Sequence, residues 1–124
     1  MFLVDSCGWL EWFTDGPLAE EYGQYLVDSN NLLVPSIVLY EVYKFLKREA
    51  GEEKALLAAG YMKNARLVSL DESLAIYAAD TALKYRLAMA DAMVAACASA
   101  FDCILVTSDA DLKDMPNVKF ISKE

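Results

Sequence analysis

Hydrophobic and polar positions fall into two kinds of run along this chain. Short, nearly continuous apolar runs occupy residues 1–4, 32–34, 66–70, 103–107 and 118–121. They are too short for helices and end at charged or turn-forming residues, so they predict buried strands. Between them, apolar residues recur at helical spacing. Residues 17–28 place Leu18, Tyr22, Tyr25 and Leu26 on one face, and residues 72–85 repeat the pattern with Leu74, Tyr77, Ala78 and Thr81. Further helices are predicted over 36–50, 52–63 and 90–101, the last being half alanine with Asp91 as its one charge. Local punctuation agrees with these limits. Pro17 suits a first helical turn, Asn30-Asn31 and Pro35-Ser36 separate elements, Gly51 suits a carboxyl-terminal stop, and Asp71 suits an N-cap. Residues 108–114 read as a polar loop.

Short apolar strands alternating with helices predict a mainly parallel sheet covered on both faces, a three-layer α/β domain with five strands. At 124 residues, 56% of them hydrophobic, the chain can bury one substantial core, so a single domain over 1–124 is expected. No repeat, low-complexity tract or linker interrupts it. Charge breaks every long apolar stretch, as Asp91 does, so none reaches the roughly 18 residues of a membrane span. Asp5 cuts short the first apolar run and no Lys or Arg precedes it, which speaks against a secretory leader. Cys7, Cys97 and Cys103 are odd in number, lack CxxC spacing and have no histidine beside them, which excludes finger-type zinc sites. Reduced, mostly buried thiols are the better expectation, with a Cys97–Cys103 disulfide as the minor alternative. A cytoplasmic protein with no membrane attachment follows.

A net charge of −8 and a pI near 4.5 argue against a general polyanion binder, whose affinity comes from Lys and Arg neutralising phosphates. Bound divalent ions can reverse the sign of an acidic pocket, so a phosphate-bearing substrate stays open.

The chemistry concentrates at strand ends. Functional crevices in open parallel sheets lie beyond the carboxyl ends of the strands, where Asp5 and Asp109 fall. Glu41 comes a little over one turn into the helix after the second strand, and Asp91 sits in the first turn of the alanine-rich helix. All four can converge on one edge. Two carboxylates about 4 Å apart at an effective dielectric near 20 repel by about 4 kcal/mol, so a cluster requires protons or a cation. Mg²⁺ or Mn²⁺ suits carboxylate oxygens, while softer metals would seek histidine. Such an ion binds phosphate and activates water for phosphodiester hydrolysis.

Each acid also has a structural explanation. Asp5 could cap a following turn, Asp91 could be an N-cap, Glu41 could pair with Lys44, and Asp109 with Asp111 could form a turn. Only their joint placement favours chemistry.

Val4-Asp5-Ser6, Glu41-Val42, the run Ala90-Asp91-Ala92-Met93-Val94-Ala95-Ala96, and Leu105-Val106-Thr107-Ser108-Asp109-Ala110-Asp111-Leu112 together resemble the PIN domain family, and most closely its VapC-type toxins. The resemblance spans essentially the whole chain in order and spacing. It implies that Asp5, Glu41, Asp91 and Asp109 bind one or two Mg²⁺ or Mn²⁺ ions for cleavage of single-stranded RNA, with Asp5 and Asp91 matching the most regular ligands. Ser6 and Thr107 match supporting hydroxyl positions. Asp111 is expected to shape its loop more than to assist the metal. Lys44 and Arg86 are candidates for RNA phosphate contacts, while Lys47 reads better as solvated surface. Trp9, Trp12 and Phe13, like Tyr40, Tyr43 and Phe45, suit core, an oligomer contact or an antitoxin groove, and the resemblance implies a homodimer with a cognate antitoxin protein.

The leading expectation is a metal-dependent endoribonuclease, the toxin of a toxin–antitoxin pair. A housekeeping PIN-domain nuclease in RNA processing is the alternative, and a neighbouring antitoxin reading frame would separate the two. A receiver-like Mg²⁺-binding phosphoacceptor fits poorly, because Asp5 lies on the first strand and Glu41 and Asp91 lie on helices. A non-catalytic binding module should have lost acids, and all four are present.

Overall fold

The computed structural model describes residues 1–123. The elements run β1 (Phe2–Val4), α1 (Ser6–Phe13), α2 (Ala19–Leu26), β2 (Leu33–Pro35), α3 (Ser36–Ala50), α4 (Glu52–Met62), β3 (Arg66–Val68), α5 (Glu72–Tyr85), α6 (Met89–Ala100), β4 (Ile104–Thr107) and β5 (Val118–Phe120). One-turn 3-10 helices at Ser29–Asn31 and Ala110–Leu112 precede β2 and follow β4.

The strands form two parallel ladders rather than one continuous five-stranded sheet. One has the order β1-β4-β5 and the other pairs β2 with β3. Val4 lies opposite Val106, Thr107 opposite Phe120, and Pro35 opposite Val68. A single parallel bridge, Phe2 to Leu32, links the ladders and gives the spatial order β3-β2-β1-β4-β5. The expectation of five parallel strands is therefore met strand by strand, while the joined sheet is reduced to a bridge. With three residues in each of β1 and β2, one bridged position takes up a large part of the facing edge.

Burial explains the layered architecture. Leu33, Val34 and Pro35 are consecutive and all buried, so both faces of β2 are covered. Helix α3 packs against α4, α5 against α6, and α1 against α2. The core runs from Leu3, Val4 and Val34 in the strands to Val38, Val42 and Leu46 along one stripe of α3, and Val94 and Cys97 on α6. Asp71 caps α5 by accepting from the Leu74 N–H at 2.8 Å. Gly51 ends α3 at φ 97°, a left-handed backbone region that favours glycine.

Helix α1 has no counterpart among the predicted elements. Its aromatics are nonetheless core: Trp9 is buried, stacks on Phe13 at 5.7 Å between centroids and meets Tyr61 of α4 edge-on at 6.2 Å. Helix α2 is shorter at both ends than the predicted 17–28, since Leu18 occupies its N-cap and Asp28 instead caps the following 3-10 turn. Cys97 and Cys103 are free, buried thiols. No helix among the described residues is long and apolar enough to cross a membrane.

Candidate metal centre

Strand order fixes where a crevice opens. The chain steps outward from β1 through β2 to β3, then returns to the other side of β1 for β4 and β5, so its direction reverses between β1 and β4. At the carboxyl edge of that pair lies a cleft of about 470 Å³, lined by Asp5, Glu41, Asp91 and Asp109, with Ser6, Lys123 and others around them.

Asp5 stands between strand and helix. Its backbone N–H extends the β1–β4 ladder to Val106 O at 2.9 Å. Its carboxylate caps α1, Oδ1 accepting from the Ser6 N–H at 2.8 Å, while Oδ2 accepts from the Thr107 hydroxyl at 2.8 Å. The capping explanation of this residue therefore holds, and the same side chain also lines the cleft. Only 7% of Asp5 is exposed, and that burial raises its pKa. The bonds from Thr107 and Ser6 pull it down, and Asp109 pushes it up again.

Glu41 faces inward from the middle of α3, and its pKa is raised first by burial and then by Asp5, with a Ser6 hydrogen bond opposing both. Among the described residues no ion pair joins it to Lys44, whose ammonium lies 5.5 Å from the Tyr40 ring centroid. Asp91 lies in the first turn of α6, whose N-cap is Ala88, so the N-cap explanation of Asp91 does not hold. Burial pushes its pKa up to about 7, followed by the charge and hydrogen bonding of Asp109 and the charges of Asp5 and Asp111.

Beyond β4, Asp109 donates its N–H to the Thr107 hydroxyl at 3.0 Å and accepts from the Asp111 N–H at 2.9 Å. That second bond tightens the 3-10 turn and swings Asp111 toward α6. Carboxylate oxygens of Asp91, Asp109 and Asp111 lie within 4.8 Å of one another. Asp111, expected mainly to shape the loop, thus does so and also brings its charge to the cluster. Three hard oxygen donors at that separation, without histidine or thiolate among them, fit a Mg²⁺ or Mn²⁺ ion.

The remaining candidates separate cleanly. The Thr107 hydroxyl bonds to Asp5, whereas Ser6 meets Asp5 through its backbone N–H and turns its side chain to Glu41. Lys44 and Arg86 are exposed and outside the cleft lining, and Arg86 forms the left-handed cap of α5. Lys123, which the sequence reading passed over, lines the cleft instead. Its signal was available: residues just past β5 share the carboxyl edge with Asp5 and Asp109.

A parallel α/β domain with acids gathered in a cleft at its strand-order reversal defines the class. The PIN domain model matches residues 2–118, and the chain belongs to the PIN domain family. Among solved structures, a toxin–antitoxin complex from Klebsiella pneumoniae matches with TM-score 0.78 and 21% identity, over 96% of each chain. VapC20 of Mycobacterium tuberculosis, described as a sarcin–ricin loop cleaving toxin, matches with TM-score 0.77 and 15% identity over 95% of this chain and 98% of that one. VapBC2 from Rickettsia felis, bound to a DNA fragment from its promoter, gives TM-score 0.74 and 15% identity over 98% and 97%. At these identities the likeness is one of fold. A search of curated proteins found no match.

Proposed function

We propose that this chain is a divalent-metal-dependent endoribonuclease acting on single-stranded RNA, and the toxin of a toxin–antitoxin pair. The observation that carries this reading is the gathering of Asp5, Glu41, Asp91 and Asp109 from four separate elements around one cleft. Membership of the PIN domain family supports phosphodiester hydrolysis, and the toxin structures of the same fold support the toxin role.

Asp91, Asp109 and the neighbouring Asp111, with Asp5 and Glu41 in the same cleft as the first two, are the residues that would hold Mg²⁺ or Mn²⁺. When bound, such an ion supplies the positive charge that attracts a phosphodiester and acidifies water. The chain's own groups do the rest. The Ser6 N–H and the Thr107 hydroxyl each occupy one oxygen of Asp5 and fix its orientation. Glu41, half-buried in the cleft beside Asp5 and Ser6, is placed to take up a proton from water at a carboxylate oxygen. Lys123 meets a substrate phosphate inside the cleft, and Lys44 and Arg86 meet flanking phosphates outside it.

A cognate antitoxin protein is the second partner, supported by the toxin–antitoxin assemblies of the same fold. A second copy of the chain pairs through the outward face of α5, where Ile76 and Leu83 are 66% and 82% exposed. Work on RNA and free thiols both suit the cytoplasm.

Cleavage of a single-stranded RNA pool by the purified chain, with Mg²⁺ and with EDTA, tests the reading. Asp5→Asn and Asp91→Asn should each lower cleavage by more than about 100-fold while preserving the circular dichroism spectrum. Undiminished cleavage by the double variant would sink the mechanism.

A further inference from the structure

Tyr22 lies on α2, outside the cleft, and its side chain is wholly buried. Its hydroxyl nevertheless ends 2.5 Å from the Ser108 hydroxyl and 3.8 Å from the Cys7 sulfur. Burial raises the pKa of this phenol well above its ordinary value, so it stays a neutral hydroxyl that can donate to or accept from Ser108. The ring reaches that point by crossing Gly8 of α1, where any Cβ would overlap both Tyr22 and Val4.

We propose that Tyr22 is a positioning residue for the metal centre, holding the turn after β4 through Ser108 so that Asp109 keeps its place in the carboxylate cluster.

Three consecutive residues carry the argument, each pinned by its side chain. Thr107 bonds to Asp5 Oδ2, Ser108 to Tyr22, and Asp109 to the Asp111 N–H, while the Asp109 N–H returns to the Thr107 hydroxyl. The Thr107 and Asp109 bonds lie within the acidic group and its own turn. The Ser108 bond ties that turn to α2, beside the longer 4.0 Å contact of the Thr107 hydroxyl with the Cys7 sulfur on α1 and the hydrogen bonding of Asp109 with Asp91 on α6. Without it, the repulsion among Asp91, Asp109 and Asp111 would act on a turn with one strong tie fewer before a cation arrives. Packing alone would be served equally by phenylalanine. The phenol oxygen is what the turn requires, and an oxygen buried without a partner would cost about 1–3 kcal/mol.

The proposal rests on the metal-nuclease reading, and Mn²⁺ binding without RNA, measured by electron paramagnetic resonance or calorimetry, separates the two. Tyr22→Phe and Ser108→Ala should each weaken Mn²⁺ binding by about tenfold, the low end for groups that support metal ligands. The double variant should be no weaker than either single one, because both changes break the same bond. In cleavage assays at saturating metal, kcat should recover while KM for RNA is unchanged. Equal Mn²⁺ affinity in wild type and both single variants overturns the positioning role, as does additive loss in the double variant. If wild type binds no Mn²⁺, the metal-nuclease reading itself falls. Ser108→Ala removes a single oxygen, so it decides the matter should Tyr22→Phe fail to fold.

Discussion

Asp91 is the acid whose titration reports most directly on the cluster, because its pKa is raised from 3.8 to about 7, by burial first and then by Asp109, Asp5 and Asp111. Without metal, the unfolded chain releases this proton near the ordinary carboxylate pKa while the folded chain retains it. As pH rises through that window the unfolded state therefore binds fewer protons than the folded one, and stability falls. Above the folded pKa both states are ionised, and the loss levels off. Urea midpoints in EDTA at about pH 5 and about pH 8 should fall for wild type, and fall less for Asp91→Asn, which has no proton to lose. Saturating Mg²⁺ should restore the wild-type midpoint at the higher pH, since a ligand that binds only the folded state stabilises it. Matching pH profiles for the two proteins would mean that neither burial nor its acidic neighbours hold the proton on Asp91 in the folded chain.

At the scale of elements, two glycines subject the fold to opposite tests. Gly8 in α1 sits against the Tyr22 ring and the Val4 side chain, whereas Gly60 in α4 has nothing within 4 Å of an added Cβ. Overpacking costs about 1–3 kcal/mol, and replacing helical glycine by alanine gains about 1 kcal/mol. Gly8→Ala should therefore destabilise by about 1–2 kcal/mol, and Gly60→Ala should stabilise by up to about 1 kcal/mol, read from urea unfolding. The same elements show what the sequence could reveal. Asp71, Gly51 and the spacing of Leu74, Ala78 and Thr81 act locally, so α5 and the end of α3 were legible. Helix α1 was not, because Cys7, Gly8, Trp9 and Trp12 supply no polar face to mark a period, and its start signal, Asp5, already had a catalytic reading. The division of the strands into two ladders was equally hidden, since it depends on whether β1 and β2 meet at one position or several. In the site, strand-end logic found Asp5 and Asp109. The approach of Asp111 to Asp91 depends on the 3-10 turn closed by Asp109 and could not be seen in spacing.

Among the helices of the whole molecule that turn apolar side chains outward, α5 exposes Ile76 and Leu83, as α4 exposes Leu56 and Leu57. Helix α5 buries Leu74, Ala78 and Thr81 and packs against α6, while Ile76 and Leu83 lie two turns apart on the opposite side. Its first turn carries Glu72 and its last Lys84, followed by Arg86 at the cap, with the exposed Asp80 between them on the side of Ile76 and Leu83. An antiparallel arrangement of two such helices about a two-fold axis sets Ile76 beside Leu83 of the partner subunit and Glu72 near Lys84 of the partner subunit. Every contact is then repeated by symmetry. A parallel arrangement would oppose like charges. Desolvating the apolar pair supplies the attraction, and the charges select its direction, since rim ion pairs add little affinity of their own. Sedimentation should find wild type as a dimer at assay concentrations. Ile76→Glu with Leu83→Glu should give a folded monomer. Glu72→Lys should weaken the dimer less, and combining it with Lys84→Glu should restore much of what it loses, because the exchange preserves opposite charges across the axis. A wild-type monomer, or a double-Glu variant that still dimerises, would remove α5 from the interface. The acidic cleft lies elsewhere on the molecule, so dimer formation should be the same with Mg²⁺ as with EDTA.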